Sequence, residues 1–154
     1  MNMAQKQEGS LITALQGFFA RKASFFGVQM AFLYGSRAEG FPREDSDLDI
    51  GVLFTDEIAS EEKMFNLTTN ISVDLSQEMK VEAGVVPIYP DFRKPMLYYN
   101  VIVKGIPLYT GDYGRYLDLR NEAIYQMEDF EIFGKDWQLL IAKKNLADLG
   151  HAGI

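Results

Sequence analysis

The stretch FLYGSRAEGFPREDSDLDIGVLF, residues 32–54, places small and charged residues between two apolar runs. The runs at 28–34 and 48–54 have the length and composition of buried strands. The segment between them contains Gly40 and Pro42, which favour a loop. We therefore predict two neighbouring strands joined as a hairpin with a long connection.

Two aspartates stand at the start of the second apolar run. Because side chains alternate along a strand, Asp47 and Asp49 lie on one face, while Leu48 and Ile50 lie on the other. Like charges on one face repel each other unless a cation lies between them. Mg²⁺ binds through one or two protein carboxylates and takes its other ligands from water and substrate phosphates. The pair therefore indicates a magnesium site that receives a nucleotide.

A Gly-Ser step closes the first apolar run. Gly35 has no side chain, so the backbone can approach a ligand closely, and Ser36 offers a hydroxyl and an amide. Arg37 follows on the same turn and is a candidate for phosphate contact, although an exposed surface arginine is the simpler interpretation. We expect strand pairing to bring this turn opposite Asp47, so that phosphate-binding groups face the metal.

Apolar spacing and helix breakers predict the remaining elements. We predict a helix over 10–24 capped by Ser10 and ended near Gly27, a helix from Met64 to Met79, a strand at 80–88, a short helix at 95–104 that Pro95 begins and Gly105 follows, an edge strand at 106–109, and helices from 113 onward. Gly134 is predicted to weaken or break the last helical region, and the tail after Leu149 to be disordered.

This order of elements predicts an α/β (α+β) fold, in which helices flank a small mixed sheet. With 154 residues the chain is expected to form a single domain, 1–154, with a core of about 28–112 and C-terminal helices at about 113–149. The last region carries an apolar stripe, for which core packing is the simplest interpretation and a protein interface the alternative. The stripe consists of Phe130, Phe133, Trp137, Leu140 and Ile141.

Composition narrows the functional classes. The chain has no cysteine and one histidine, so any metal must be held by oxygen ligands. A net charge of −7 disfavours long nucleic-acid partners, since affinity for them depends on neutralising many phosphates. No apolar run approaches the ~20 residues that cross a bilayer, so we expect no membrane partner and a cytoplasmic protein.

The run Gly35-Ser36, ten residues, then Asp47-Leu48-Asp49 resembles the signature of the DNA polymerase beta-like nucleotidyltransferase superfamily. Within it, the short chain resembles the minimal nucleotidyltransferases (MNT), which pair with HEPN-domain proteins in toxin-antitoxin modules. The segment KPMLYYNVIVKGIPLYTGD at 94–112 is similar to the family's helix, glycine and Leu-Tyr ending. The resemblance covers about residues 28–120.

The resemblance implies a role for each matching residue. Asp47 and Asp49 would hold two Mg²⁺ ions, Gly35 and Ser36 would bind the phosphates of ATP, and a carboxylate on the third strand would complete the site as ligand or base. By position that carboxylate is Glu82, where the family usually has aspartate. A second departure is Glu39, at a point where the family often has a basic residue.

Three functions follow from the resemblance. The first is an enzyme that transfers a nucleoside monophosphate, AMP from ATP, onto a hydroxyl of a partner protein, as the antitoxin of a HEPN-domain toxin. The second is an antitoxin of the same fold that binds its partner without catalysis, which the two departures favour. The third is a nucleotidyltransferase acting on a small molecule of the antibiotic type, although such members generally carry a larger helical domain.

Overall fold

The computed structural model describes residues 3–38 and 47–152. Its elements, in chain order, are α1 (Met3–Phe26), β1 (Val28–Tyr34), β2 (Leu48–Phe54), α2 (Glu61–Met79), β3 (Ala83–Pro87), α3 (Pro95–Tyr98) with a π-helical continuation (Tyr99–Val103), β4 (Ile106–Tyr109) and α4 (Tyr113–Ala152). In the described ranges no helix is both long and apolar enough to span a membrane.

The four strands form one mixed sheet in the order β3-β2-β1-β4. Strand β1 pairs antiparallel with both β2 and β4, while β2 pairs parallel with β3. Both hairpin strands have the predicted bounds, and the predicted edge strand is β4. The expected small mixed sheet with flanking helices is therefore confirmed.

Apolar clusters cover both faces of the sheet. One joins α1 and α2 to the sheet through fully buried side chains such as Leu15, Phe18 and Ile71. The other joins α3, the π-helical turn and the start of α4 to the opposite face through Phe32, Tyr98 and others. The core thus lies on both sides of β1 and β2, and only the ends of these strands reach solvent.

Two glycines let the π-helical turn lie close to the sheet. A Cβ on Gly51 would lie 2.4 Å from a methyl carbon of Val101, and a Cβ on Gly105 would lie 2.1 Å from the carbonyl oxygen of Val101. The sequence correctly predicted that Gly105 follows a short helix. Glycine is needed at position 105 because there is no space for a side chain, and not because the backbone is left-handed.

Four sequence predictions need correction. Helix α1 begins at Met3, so Ser10 lies inside the helix and does not cap it. The third strand is shorter than 80–88, because the left-handed conformation of Lys80 ends α2 and the strand begins only at Ala83. Helix α4 runs unbroken through Gly134, and it continues past Leu149 to Ala152 instead of becoming disordered.

A fifth correction concerns the apolar stripe of the last region. Its five side chains, Phe130, Phe133, Trp137, Leu140 and Ile141, are 41–68% exposed, so they are not part of the core. The end of α4 extends beyond the elements that would cover it. The interface interpretation is therefore the one that remains for this stripe.

Candidate functional site

The carboxylate pair lies at the end of β2 where this strand has neighbours on both sides. Asp49 pairs with Tyr34 of β1 on one side and with Gly84 of β3 on the other. Asp47 immediately precedes the strand and is exposed, whereas Asp49 is partly buried. Leu48, between them, is fully buried on the opposite face, which confirms the predicted alternation.

Glu82 occupies the matching place on the neighbouring strand. The backbone N–H of Leu48 donates to the carbonyl oxygen of Glu82 at 2.8 Å, and Leu48 pairs with Ala83. Since paired residues of parallel strands face the same side, Glu82 and Asp47 lie on one face, each one step before its strand. Glu82 is exposed, and in the described part of the chain no three acidic or histidine side chains gather closely enough for one metal ion.

Burial and neighbouring negative charge raise the pKa of two side chains at this sheet end. Partial burial, and then the negative charge of Asp47, raise the pKa of the Asp49 carboxyl. Burial, and then the charge of Asp49, likewise raise the pKa of the Tyr34 hydroxyl. A bound cation would relieve both effects, and carboxylate oxygens are the ligands that Mg²⁺ prefers. The residues present therefore fit a magnesium ion held by Asp47 and Asp49.

Gly35 is required by the carboxylate beside it. Its φ of +78° is in the left-handed region, and a Cβ at this position would lie 2.6 Å from Oδ2 of Asp49. The carbonyl oxygen of Gly35 then accepts a hydrogen bond of 3.1 Å from the N–H of Ala38, which closes a turn. A side chain at position 35 would therefore strain the backbone and displace Asp49.

Ser36 and Arg37 lie on that turn. Ser36 is exposed, so its hydroxyl is accessible from solvent, and Arg37 is partly buried. The predicted loop with Gly40 and Pro42, together with Glu39, lies outside the described residues. The turn and the two carboxylates are thus brought together at one end of the hairpin, as the sequence predicted.

Tyr34 is a site residue that the sequence interpretation missed. Aligning the ends of the two predicted strands pairs Tyr34 with Leu48, which puts its ring on the face of the first apolar cluster, opposite Asp49. An irregularity between Val28 and Met30 shifts the register by one residue, so that Tyr34 pairs with Asp49 instead. Because a one-residue shift exchanges the faces of a strand, only the bulge places this ring beside the carboxylate.

A cleft among the described residues lies away from the carboxylate pair. It has a volume of about 300 Å³ and is lined in part by Leu53, Ile88, Tyr89 and Arg93, at the opposite end of β2 from Asp47. Arg93 is held there by Asp91 and Glu61, and its guanidinium stacks on the ring of Tyr89. This cleft therefore contains none of the predicted site residues.

The mixed sheet and the Gly-Ser turn facing an Asp-x-Asp pair define a domain of the nucleotidyltransferase type. A model of the family described as polymerase beta, nucleotidyltransferase matches residues 16–113. This match spans more than half of the chain, so the protein belongs to that family. The comparison with curated protein sequences finds no match.

Several solved structures share the fold. A toxin-antitoxin structure with AMP-PNP has a TM-score of 0.62 and 18% identity, over 83% of this chain and 96% of the other. A re-refined structure of the tri-AMPylated HEPN toxin of Shewanella oneidensis with its MNT antitoxin has a TM-score of 0.52 and 18% identity, over 92% and 98%. A MntA-HepT toxin-antitoxin structure has the same score and identity over 90% and 97%. At this identity the likeness shows the fold, which is that of MNT antitoxins.

Proposed function

We propose that the protein is a nucleotidyltransferase that moves AMP from ATP onto a hydroxyl of a partner protein, and that it acts as the antitoxin of a HEPN-domain toxin. Membership of the nucleotidyltransferase family supports the class of reaction. The likeness to MNT antitoxin structures, one with AMP-PNP and one with an AMPylated toxin, supports the donor and the acceptor.

The observation that carries the proposal is the close fit between Gly35 and Asp49. The absence of a Cβ allows the Asp49 carboxylate to lie against the backbone of the turn, where a Cβ would be 2.6 Å from its oxygen. A turn that offers Ser36 to a phosphate thereby borders directly on the carboxylate that would hold the metal. Phosphate-binding and metal-binding groups are then adjacent, as transfer of a nucleotide requires.

In the proposed reaction an acceptor hydroxyl attacks the α-phosphorus of ATP, the bond to the β-phosphate oxygen breaks, and pyrophosphate leaves. The turn at Gly35 and Ser36 binds the donor phosphates, with Arg37 as a further contact. Asp47 and Asp49 would hold Mg²⁺, and Glu82 would serve as a third ligand or as the base that accepts the hydroxyl proton. When bound, Mg²⁺ polarises the phosphates and neutralises charge on the leaving group.

A second candidate is an antitoxin that binds its partner without catalysis. The observation that favours it is the position of Glu82, which shares the face of the carboxylate pair but does not form a three-ligand cluster with it. Glutamate replaces the aspartate that the resemblance leads us to expect here. A protein of this kind would retain the fold and its partner surface while transferring no nucleotide.

The test is to incubate the purified chain with Mg²⁺, ATP labelled at the α-phosphate and the HEPN-domain product of a neighbouring reading frame. We expect label on the partner protein with the wild type. Asp49→Asn should lower the rate at least ~100-fold, because metal coordination contributes several kcal/mol to such reactions. Full activity in Asp49→Asn would exclude this site.

Asp56→Asn is the matched control, because Asp56 lies just beyond the other end of β2 and its side chain is 79% exposed. This variant should transfer label at the wild-type rate. If the partner co-purifies with the chain but no label is transferred, the binding antitoxin becomes the better description. Transfer that appears only in the Glu82→Asp variant would show that the glutamate at position 82 is the reason why the wild-type chain does not transfer the nucleotide.

A further inference from the structure

Helix α4 begins as part of the core. Tyr116, Leu119 and Ala123, spaced three and four residues apart, pack against the second apolar cluster, and Ala123 is only 1% exposed. This spacing places them along one side of the helix. The first part of α4 is therefore an ordinary amphipathic helix held against the sheet.

The same spacing continues after the helix has left the core. We call the residues concerned the tail stripe, and they are Phe130, Phe133, Trp137, Leu140 and Ile141. Their exposure of 41–68% makes the tail stripe a continuous apolar surface. Its first four members alternate three- and four-residue steps, which is the seven-residue pattern by which one helix packs against another.

We propose that the tail stripe pairs with the tail stripe of a second copy of this chain, with the two helices antiparallel. The resulting dimer has twofold symmetry, because each copy contributes the same surface. This inference concerns assembly and is independent of the proposed transfer reaction. Three features support it: the charges along the helix, the match of side chains in one register, and the area available.

The charges that flank the tail stripe on one side change sign along the helix. Asp129 and Asp136 each precede an aromatic member of the stripe, and Lys143 lies at its end, each seven residues from the next. A parallel pair does not bring Asp129 of one copy near Lys143 of the other. An antiparallel pair brings these two residues together at both ends, so the ends of the stripe are complementary to those of the reversed copy.

One antiparallel register matches the first four apolar side chains of the tail stripe. It places Phe130 of each copy against Leu140 of the other, and Phe133 against Trp137. The same register brings Asp129 beside Lys143 at both ends of the pair, and Asp136 beside Asp136 of the other copy at its centre. All four core layers are then apolar, both end contacts are between opposite charges, and the central contact is between like charges.

The apolar surface area of the tail stripe is sufficient for a specific complex. Large apolar and aromatic side chains carry about 150–250 Å² each when fully exposed, and those of the tail stripe are about half exposed. Two copies with five such side chains each bury on the order of 1,000 Å², which reaches the lower size range of specific interfaces. We therefore expect a reversible dimer whose population depends on protein concentration.

The first test is the mass of the full chain in solution, by light scattering and sedimentation over a dilution series. We expect twice the 17.5 kDa of one chain well above the dissociation constant, and a monomer well below it. A chain that stays monomeric at about 100 μM contradicts the proposal. A chain that binds only a different helical protein through this surface contradicts it too.

Two glutamate substitutions separate the tail stripe from the rest of the helix. Trp137→Glu should produce a monomer of unchanged helical content, because the side chain is 54% exposed within each chain. Leu139→Glu is the matched control: Leu139 is 58% exposed but lies two residues on, nearly opposite on the helix. A dimer that survives Trp137→Glu, or that is lost equally with Leu139→Glu, overturns the assignment.

Charge reversal and cross-linking test the orientation. Lys143→Glu should weaken the dimer, and adding Asp129→Lys in the same chain should restore it. Because the chain has no cysteine, Gln126→Cys and Lys144→Cys each introduce one thiol. In the proposed register a disulfide forms only when these two variants are mixed. Cross-linking of each variant with itself, or no rescue by Asp129→Lys, would contradict antiparallel pairing.

Discussion

Helices α1 and α4 carry the same side chain in two very different settings. Phe18 of α1 is completely buried between the sheet and α2, whereas Phe133 of α4 is 68% exposed. Both belong to an apolar stripe with helical spacing, so their local sequences do not distinguish them. The spacing of apolar residues shows which side of a helix avoids water. Other elements of the chain decide whether that side is buried within the monomer.

The largest expected effect comes from truncating these two phenylalanines. Phe18→Ala should lower the free energy of unfolding by about 3–5 kcal/mol, because it leaves a cavity in a packed core. Phe133→Ala should change it by less than about 0.5 kcal/mol. Urea denaturation in the Trp137→Glu background measures both values without any contribution from self-association. Similar losses in the two variants would mean that the end of α4 folds back onto the core.

Ligand binding should stabilise the sheet end and leave the tail stripe unaffected. Mg²⁺ with ATP at about 100 times the dissociation constant adds ~2.7 kcal/mol, which raises the melting temperature by about 5–10 °C in a chain of this size. Asp49→Asn should lose this shift, while Trp137→Glu should keep it. Differential scanning fluorimetry with and without ligand makes the comparison. An equal shift in Asp49→Asn would place the nucleotide elsewhere.

Two glycines show the same contrast between the sheet end and the exposed part of α4. Gly35→Ala should cost about 1–2 kcal/mol, because an alanine at a φ of +78° is strained. It should also reduce nucleotide transfer, since Asp49 must move away from the new Cβ. Gly134→Ala should instead add about 1 kcal/mol, because the site lies in a helix with nothing within 4 Å.

Chemical denaturation and the labelled-ATP reaction measure the two glycine variants side by side. A destabilising Gly134→Ala would show that α4 is not a continuous helix in solution. Normal nucleotide transfer by Gly35→Ala would show that the close fit between the turn and the Asp49 carboxylate is not needed for the reaction.

The smallest effect concerns the charge of Asp49. Because its pKa is raised in the folded chain, the charged form opposes folding at neutral pH, and this penalty disappears as the pH falls below the pKa of the unfolded chain. Asp49→Asn should therefore raise the melting temperature slightly at pH 7 and leave it unchanged in acid. Melting curves across the acidic range test the sign. Stabilisation that persists in acid would point to another cause.

The sequence predicted correctly the bounds of the hairpin strands and the shared face of Asp47 and Asp49, because both depend on neighbouring residues. Strict alternation put Asp47 and Asp49 on one face, and the long apolar runs fixed the strand bounds. Tyr34 was missed because a bulge in β1 determines which residue of β2 it pairs with, and no local sequence pattern predicts that bulge. The third strand was predicted too long because the left-handed Lys80 interrupts it.

By itself the sequence determined the order of the elements, the apolar face of each helix and the placement of Asp47 and Asp49 on one face of their strand. These follow from steric preference and side-chain periodicity, which act over a few residues. Only the tertiary structure decided that Tyr34 lies beside Asp49 and that the tail stripe is exposed. Strand register and the burial of a helix face depend on elements that are distant in the chain. Tertiary packing therefore decides both, and no local sequence pattern predicts them.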